Sequence, residues 1–198
     1  MMKKSLSLAL VCLAIFPAFS QTAMIPSKEV QIKTAVMAAP EEKQADATVL
    51  GYHENGELVE LEKGTNEMIC ISDDPSAKGF TVSCYASDLE PFMIRGRELK
   101  NEGKSFQEIF DTREAEAKNG KLKMPKEGAT LYVLSTDAEK YNMTTGEVSD
   151  TYLRYVVYLP WATAETTGLP LKPSAPGMPW IMDPGTHRAH IMITPPRD

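Results

Sequence analysis

The sequence has few of the residues and motifs on which most recognisable catalytic and nucleic-acid sites depend. Its 198 residues include three cysteines, three histidines and two tryptophans. It has no glycine-rich phosphate loop and no Gly-x-Ser-x-Gly, His-Glu-x-x-His or Cys-x-x-Cys motif, which excludes the enzymes that such local motifs identify. The formal net charge is −6, so the chain offers no basic surface for nucleic acid or anionic lipid. We therefore expect no nucleic-acid partner.

The N-terminus has the three regions of a secretory signal peptide. Two lysines precede an uncharged, mainly apolar run over residues 6–19, and small residues at Ala18 and Ser20 fit the −3 and −1 positions of a cleavage site. The run is shorter than the ~20 residues of a membrane-spanning helix. We predict a signal peptide over residues 1–20, no integral membrane segment after its removal, and a secreted or periplasmic bacterial protein.

Removal of this peptide would change the cysteine count and the charge. The first cysteine would leave with it, and Cys70 and Cys84 would remain. An even pair in an exported chain favours a disulfide, and the missing Cys-x-x-Cys spacing argues against a redox-active pair. Two basic residues would also leave, so the charge becomes −8. We predict a structural Cys70–Cys84 disulfide worth about 3 kcal/mol on the chain-entropy model.

Residues 21–47 have the composition of a flexible linker. The apolar residues show no sustained period, and residues 40–44 are rich in charge and proline, which is typical of disorder. A short helix over residues 28–37 is the alternative.

The folded domain is predicted over residues 48–195. An Asn-Gly pair at 55–56 between two alternating runs favours a two-residue hairpin turn. That turn would pair Tyr52 with Val59 and Leu50 with Leu61, and it would place all four on the buried face.

Further elements predict an α+β fold with a mainly antiparallel sheet. Two consecutive helices are expected from capping-box patterns at Ser87 and Ser105, the second burying Phe106 and Phe110. Strands are expected on either side of this pair, over residues 68–72, 80–85, 130–135, 151–159 and 190–194. Residues 160–198 hold eight of the 14 prolines and both tryptophans, and we expect them to form a Pro-rich C-terminal cap.

Residues 178–192 are the richest in side chains that bind metals or transfer protons. His187, His190 and Met192 are soft ligands that suit copper, and His190 with Asp183 suits zinc or a hydrolytic acid–base pair. However, a strand would place His187 and His190 on opposite faces. Methionine and histidine at a strand start are also ordinary core residues, which is the alternative that the pattern favours.

Two arginines on the first predicted helix are candidates for holding a carboxylate or phosphate. Arg95 and Arg97 could bind such a group through bidentate hydrogen bonds, and either could join His190 and Asp183 in an acid–base cleft. Glutamates one helical turn away provide the competing interpretation, in which the arginines are paired on a solvated surface.

The aromatic residues at the start of the cap are candidates for ligand binding. Tyr158, Trp161 and Trp180 could form an apolar platform for a glycan, a peptide or a hydrophobic ligand, held rigid by nearby prolines. The alternative is that they cover a sheet edge or close the core.

Several short segments between residues 48 and 195 form a distinctive set: Gly64–Asn66, Met68–Cys70, Cys84-Tyr85, Leu89–Met93, Arg95–Leu99, Pro179-Trp180, Pro184–Thr186 and Ala189–Met192. As a set they resemble an uncharacterised family of exported bacterial proteins. The resemblance implies export and one continuous domain. It implies no catalytic residue, because that family has no established activity.

The leading hypothesis is therefore a non-catalytic exported domain that needs no cofactor and binds a small ligand or a protein or glycan partner through its cap. The alternative is a copper- or zinc-binding protein or a His/Asp-dependent hydrolase that uses residues 178–192. The binding hypothesis requires an exposed tryptophan, and the hydrolase requires His190 beside a carboxylate in a concave pocket.

Overall fold

The fold was analysed in a computed structural model that describes residues 24–197. The predicted signal peptide over residues 1–20 lies outside the described residues. Within them, eight strands form one sheet in the order β2-β1-β3-β4-β5-β8-β10-β9. Only β1 and β3 pair in parallel. The mixed fold with a mostly antiparallel sheet is thus confirmed.

The strands of this sheet are β1 (Thr48–Tyr52), β2 (Leu58–Glu62), β3 (Met68–Ile71), β4 (Phe80–Ala86), β5 (Ala129–Thr136), β8 (Tyr152–Tyr158), β9 (Trp180–Met182) and β10 (His190–Ile193). A separate two-stranded ribbon consists of β6 (Tyr141–Asn142) and β7 (Glu147–Val148). The α-helices are α1 (Lys28–Ala35), α2 (Glu41–Gln44), α3 (Glu90–Asn101), α4 (Phe106–Lys118) and α5 (Ala164–Thr167). No helix in the described part of the chain is long and apolar enough to span a bilayer.

Residues 28–47, expected to belong to a flexible linker, instead cover one face of the sheet. Ala35 and Ala38 are buried against Val49, the disulfide and Phe80. Gln31 is also buried, and its side chain bonds both backbone groups of Tyr52. The buried face of α1 mixes polar with small apolar residues, so it has no apolar period that would reveal a packed helix.

The β1–β2 hairpin forms, but its register differs by one residue from the prediction. Tyr52 lies opposite Leu58 rather than Val59. The His53 carbonyl accepts the Gly56 N–H, and the His53 N–H bonds to the Glu57 carbonyl. Only Gly56 of the Asn-Gly pair has positive φ. This is a three-residue turn with a glycine bulge, not a two-residue type I′ turn, and Val49, not its neighbour Leu50, is the buried side chain.

The disulfide prediction is confirmed. Cys70 of β3 lies opposite Cys84 of β4, and the two sulfurs are bonded. Both residues are fully buried on the face that the N-terminal helices cover. The bond therefore joins two central strands inside the core.

The opposite face of the sheet packs against α3. Leu89 and Phe92 contact Tyr85 and Tyr158 in this second core. Helix α4 lies against α3, where Gly96 leaves room for a guanidinium: a Cβ at this position would lie 2.8 Å from Arg113 Nη1. A side chain at residue 96 would therefore displace the Arg113 guanidinium, which packs over the Phe92 ring.

Candidate binding surface

Helix α4 presents one row of side chains to the C-terminal segment (residues 160–197). The capping box predicted at Ser105 is present and starts the helix. Residues four apart lie on one face of a helix, and the row on α4 contains Phe106, Phe110, Glu114 and Lys118. Each of these side chains contacts or approaches one of three residues of the C-terminal segment: Trp161, His187 and Arg188. We call these seven residues the α4–cap seam.

The centre of the seam is a hydrogen-bonded contact between Glu114 and His187. One carboxylate oxygen, Glu114 Oε2, accepts the His187 backbone N–H at 2.9 Å and lies 2.5 Å from Nδ1. The other oxygen pairs with Lys118 Nζ at 2.7 Å. One glutamate therefore fixes both the backbone and the ring of a residue 73 positions away.

Burial decides the ionisation of His187, and hydrogen bonds decide that of Glu114. His187 is 0% exposed and packs between the rings of Phe92 and Phe110. Desolvation lowers the pKa of His187 and outweighs the opposing effect of Glu114. For Glu114, burial opposes ionisation, but bonds from Lys118 and His187 prevail and lower its pKa to about 2. The pair is thus a carboxylate with a neutral imidazole whose proton lies on Nδ1.

His187 Nε2 faces no polar partner. It is buried and makes no hydrogen bond within the described residues. A general base needs its free nitrogen within reach of substrate or water. The closed surroundings of His187 therefore favour a structural role over proton transfer.

Arg188 and Asp183 form a second pair at one end of the seam. Arg188 Nη1 lies 2.7 Å from Asp183 Oδ2, and its guanidinium lies 5.3 Å from the Phe106 ring centre. Phe106 was expected to be buried but is 67% exposed. It is the first residue of α4 and lies at the end of the row, where the Arg188 guanidinium is its contact in the C-terminal segment.

His190 and Asp183 do not form the acid–base pair that the sequence suggested. His190 is buried in β10, where Nδ1 bonds to the Arg188 carbonyl at 2.7 Å and the ring packs on Tyr158 at 5.1 Å. Burial lowers the pKa of His190. The Asp183 carboxylate accepts a hydrogen bond from Arg188, and its backbone carbonyl accepts one from the Thr186 hydroxyl.

Among the three proposed platform residues, Trp161 is the exposed one. It is 40% exposed, and its indole lies 5.8 Å from Lys118 Nζ. Tyr158 is buried against Phe92, so its ring is unavailable to a surface ligand. Trp180 is half-buried in β9 opposite Met192. The structure therefore does not combine the three rings into one platform.

The backbone of Trp161 has a conformation that non-glycine residues rarely adopt. Its φ is +70°, and the other such residue in this segment is Asp183 at +52°. The conformation is held by the Trp161 N–H, which donates to the Thr186 carbonyl at 2.8 Å. A bulky side chain in this region costs about 1–3 kcal/mol. The loop thus holds an exposed indole at an energetic cost.

The two candidate arginines are held by acidic side chains. Arg95 bonds Glu116 at 2.8 and 3.0 Å and Glu98 at 2.9 Å. Arg97 pairs with Glu90 at 2.9 Å. These contacts correspond to the surface-pairing interpretation rather than to an open anion site.

The metal hypothesis receives no support from side-chain placement. Within residues 24–197, no group of three or more histidine, cysteine, aspartate and glutamate side chains is arranged to hold a metal ion. Met192 lies opposite Val156 and Trp180 on the core face of the sheet. The two predicted histidine ligands have their Nδ1 atoms engaged elsewhere, that of His187 with Glu114 and that of His190 with the Arg188 carbonyl.

Sequence reasoning missed Glu114, Arg113 and Lys118. The only local signal was the four-residue spacing along α4, which is common on any amphipathic helix. Comparison of the chain with protein-family models, curated proteins and solved structures found no match.

Proposed function

We propose that this protein is an exported, non-catalytic domain that binds a partner protein at the exposed ends of the α4–cap seam. Export is supported by the signal-like N-terminus and is compatible with the buried disulfide. The proposed working surface belongs to the Pro-rich C-terminal cap together with α4.

The observation that carries the proposal is the exposed, strained Trp161. Strained backbone persists where the surroundings hold it, and such positions cluster at functional sites. If the indole only filled the core, the strain would be offset by its burial, but 40% of the residue remains accessible. A rigid, amphipathic indole beside a cation is the type of residue that anchors protein interfaces.

Other exposed apolar residues of the C-terminal segment and of α4 favour a protein partner. Leu171 is 57% and Met178 is 48% exposed in the C-terminal segment, and Phe106 is exposed at the far end of the seam. Twelve residues separate Phe106 from Lys118, which places the two aromatic ends about 18 Å apart along α4. An interface with aromatic, methionine and arginine contacts at this spacing suits an extended polypeptide segment.

The hydrolase alternative has one supporting contact and one opposing observation. The Glu114–His187 pair orients an imidazole as a general base requires. Against this, His187 is 0% exposed. The binding hypothesis needs no opening of the seam, and we therefore prefer it.

The test compares capture of proteins by three forms of the mature chain. Tagged wild type, Trp161→Asn and Tyr155→Ala are incubated with an envelope extract of the producing cells, and bound proteins are quantified by mass spectrometry. Asparagine tolerates positive φ, so the first variant removes the indole without adding strain. Tyr155 is exposed on the opposite face of the sheet and serves as the matched control.

We expect a protein that binds wild type and Tyr155→Ala and is depleted at least about tenfold with Trp161→Asn, as for a hot spot worth more than 1.4 kcal/mol. Once purified, the captured partner should bind wild type and Tyr155→Ala with similar affinity and Trp161→Asn more weakly. Capture of a glycan instead, lost after glycosidase treatment, would contradict the protein-partner proposal. So would a set of bound proteins that does not depend on Trp161.

A further inference from the structure

A second concave site lies between the β1–β2 hairpin and α3. It is a groove of about 650 Å³, which is within the range of small-molecule sites. Its apolar wall includes Leu50, Leu58, Val59 and Ile94. Ile94 is 40% exposed although it lies in the middle of α3, so the groove leaves apolar area accessible.

Negative charge surrounds this apolar wall. The charged lining consists of two bases, Arg97 and Lys100, and five carboxylates: Glu57, Glu60, Asp74, Glu90 and Glu98. Both basic side chains are already paired: Arg97 lies 2.9 Å from Glu90, and Lys100 lies 3.5 Å from Asp74. The carboxylates that remain give the groove lining a net negative charge.

Two of these carboxylates are available at the hairpin side of the groove. Neither Glu57 nor Glu60 makes a salt bridge to any residue between 24 and 197. Both are exposed, and both lie next to apolar lining residues of β2. A bound cation would therefore gain a charge partner without breaking an existing pair.

The ionisation of Tyr52 reports the same negative environment from inside the groove. Burial is the main cause that raises the pKa of Tyr52 to about 12, and Asp74 and Asp73 add to it while Arg97 opposes. Each aspartate therefore has a larger effect on the pKa of Tyr52 than the opposing Arg97 does.

We propose that this groove binds a small organic cation, an amine with an apolar body. The apolar part would cover Ile94 and Leu58, and the ammonium group would lie near Glu57 and Glu60. This site shares no residue with the α4–cap seam, so it extends the proposed function without resting on it.

The experiment uses probes that separate charge from apolar area. The mature protein is titrated with 2-phenylethylammonium, the neutral 2-phenylethanol, the anionic phenylacetate and tetramethylammonium, and amide shifts are followed by NMR. We expect saturable shifts around Tyr52 and Ile94 with phenylethylammonium. The other three probes should bind at least about fivefold more weakly, because each lacks the charge or the apolar body.

Two variants test the assignment of the charges. The double variant Glu57→Gln/Glu60→Gln should raise the Kd for phenylethylammonium about tenfold. Added salt should bring the Kd of wild type closer to that of the variant, because it screens the two carboxylates. Glu62→Gln, exposed on the same strand outside the groove, should leave the Kd unchanged. Equal affinity for charged and neutral probes, equal binding of tetramethylammonium, or no groove shifts at ~10 mM phenylethylammonium would each overturn the proposal.

Discussion

Removal of the Glu114 carboxylate should destabilise the protein far more than neutralising it. Glu114 Oε2 satisfies two donors of His187, the backbone N–H and Nδ1–H. His187 is fully buried, so both donors lie away from solvent in the folded protein. The Glu114→Ala variant therefore leaves two buried donors unsatisfied, each costing about 1–3 kcal/mol. We expect a total loss of about 2–6 kcal/mol.

The Glu114→Gln variant separates hydrogen bonding from charge. A glutamine retains an acceptor oxygen for His187 and loses the ion pair with Lys118, which is mostly exposed. An exposed pair of this kind contributes about 0.2–1 kcal/mol. The expected loss is therefore about 1 kcal/mol, and urea unfolding at pH 7 measures both variants.

The same pair determines how stability responds to acid. The pKa of His187 in the folded protein lies below its ordinary value of 6.5. The stability that neutral His187 contributes to folding is therefore complete above pH 6.5 and is lost as the pH falls. Glu114, with a folded pKa of about 2, contributes above pH 4.5 and loses that contribution between pH 4.5 and 2. After allowance for solvent screening, the Glu114 step is about 1–2 kcal/mol. The Glu114→Gln variant should no longer lose stability between pH 4.5 and 2 through this carboxylate. It should keep the loss of stability that His187 causes below pH 6.5.

Two results would refute this reasoning. One is a Glu114→Ala variant within 1 kcal/mol of wild type. The other is a Glu114→Gln variant as unstable as Glu114→Ala, which would mean that charge rather than hydrogen bonding holds His187.

Three further predictions concern Gln31, Asp73 and the disulfide. Gln31→Ala should cost about 2–4 kcal/mol in urea unfolding because both backbone groups of Tyr52 lose their partner; a change below 0.5 kcal/mol would restore the linker interpretation. Burial raises the pKa of Asp73 to about 6, so the folded protein loses stability as the pH rises from 3.8 to 6. The Asp73→Asn variant should therefore be more stable than wild type by about 1–2 kcal/mol at pH 7 and equally stable below pH 4. A pH-independent effect would contradict that cause. Replacing both Cys70 and Cys84 by alanine should cost about 3 kcal/mol, measured against the oxidised protein, whereas an unchanged midpoint would show that the bond is not formed.

The local parts of the fold were predictable and the long-range parts were not. The Cys70–Cys84 disulfide is predictable because two cysteines remain after the predicted signal peptide and each lies in a predicted strand, and the structure places them opposite each other. The hairpin was expected at Gly56, but two- and three-residue turns both accept Asn-Gly and differ by one residue in register. Local turn chemistry alone could not choose between them.

The candidate site depends on contacts that carry no local signal. Glu114 and His187 are 73 residues apart, and nothing in either neighbourhood indicates the other. The linker prediction for residues 21–47 depends on the missing apolar period, and the buried face of α1 explains that gap because it includes Gln31 and Thr34. Gln31 bonds to the backbone of Tyr52 in β1, and the Thr34 hydroxyl bonds to the Val30 carbonyl of the helix itself. These partners are in place only in the folded chain, so the sequence alone does not show that the two polar side chains can be buried.

The most direct test of the proposed function measures stability and partner binding together in Trp161→Asn. Relief of strain at φ +70° should offset the loss of indole packing. The free energy of unfolding should therefore stay within about 1 kcal/mol of wild type, while affinity for the captured partner falls at least about tenfold. A variant that binds the partner as wild type does would contradict the account. So would a loss of binding that only follows a loss of folding.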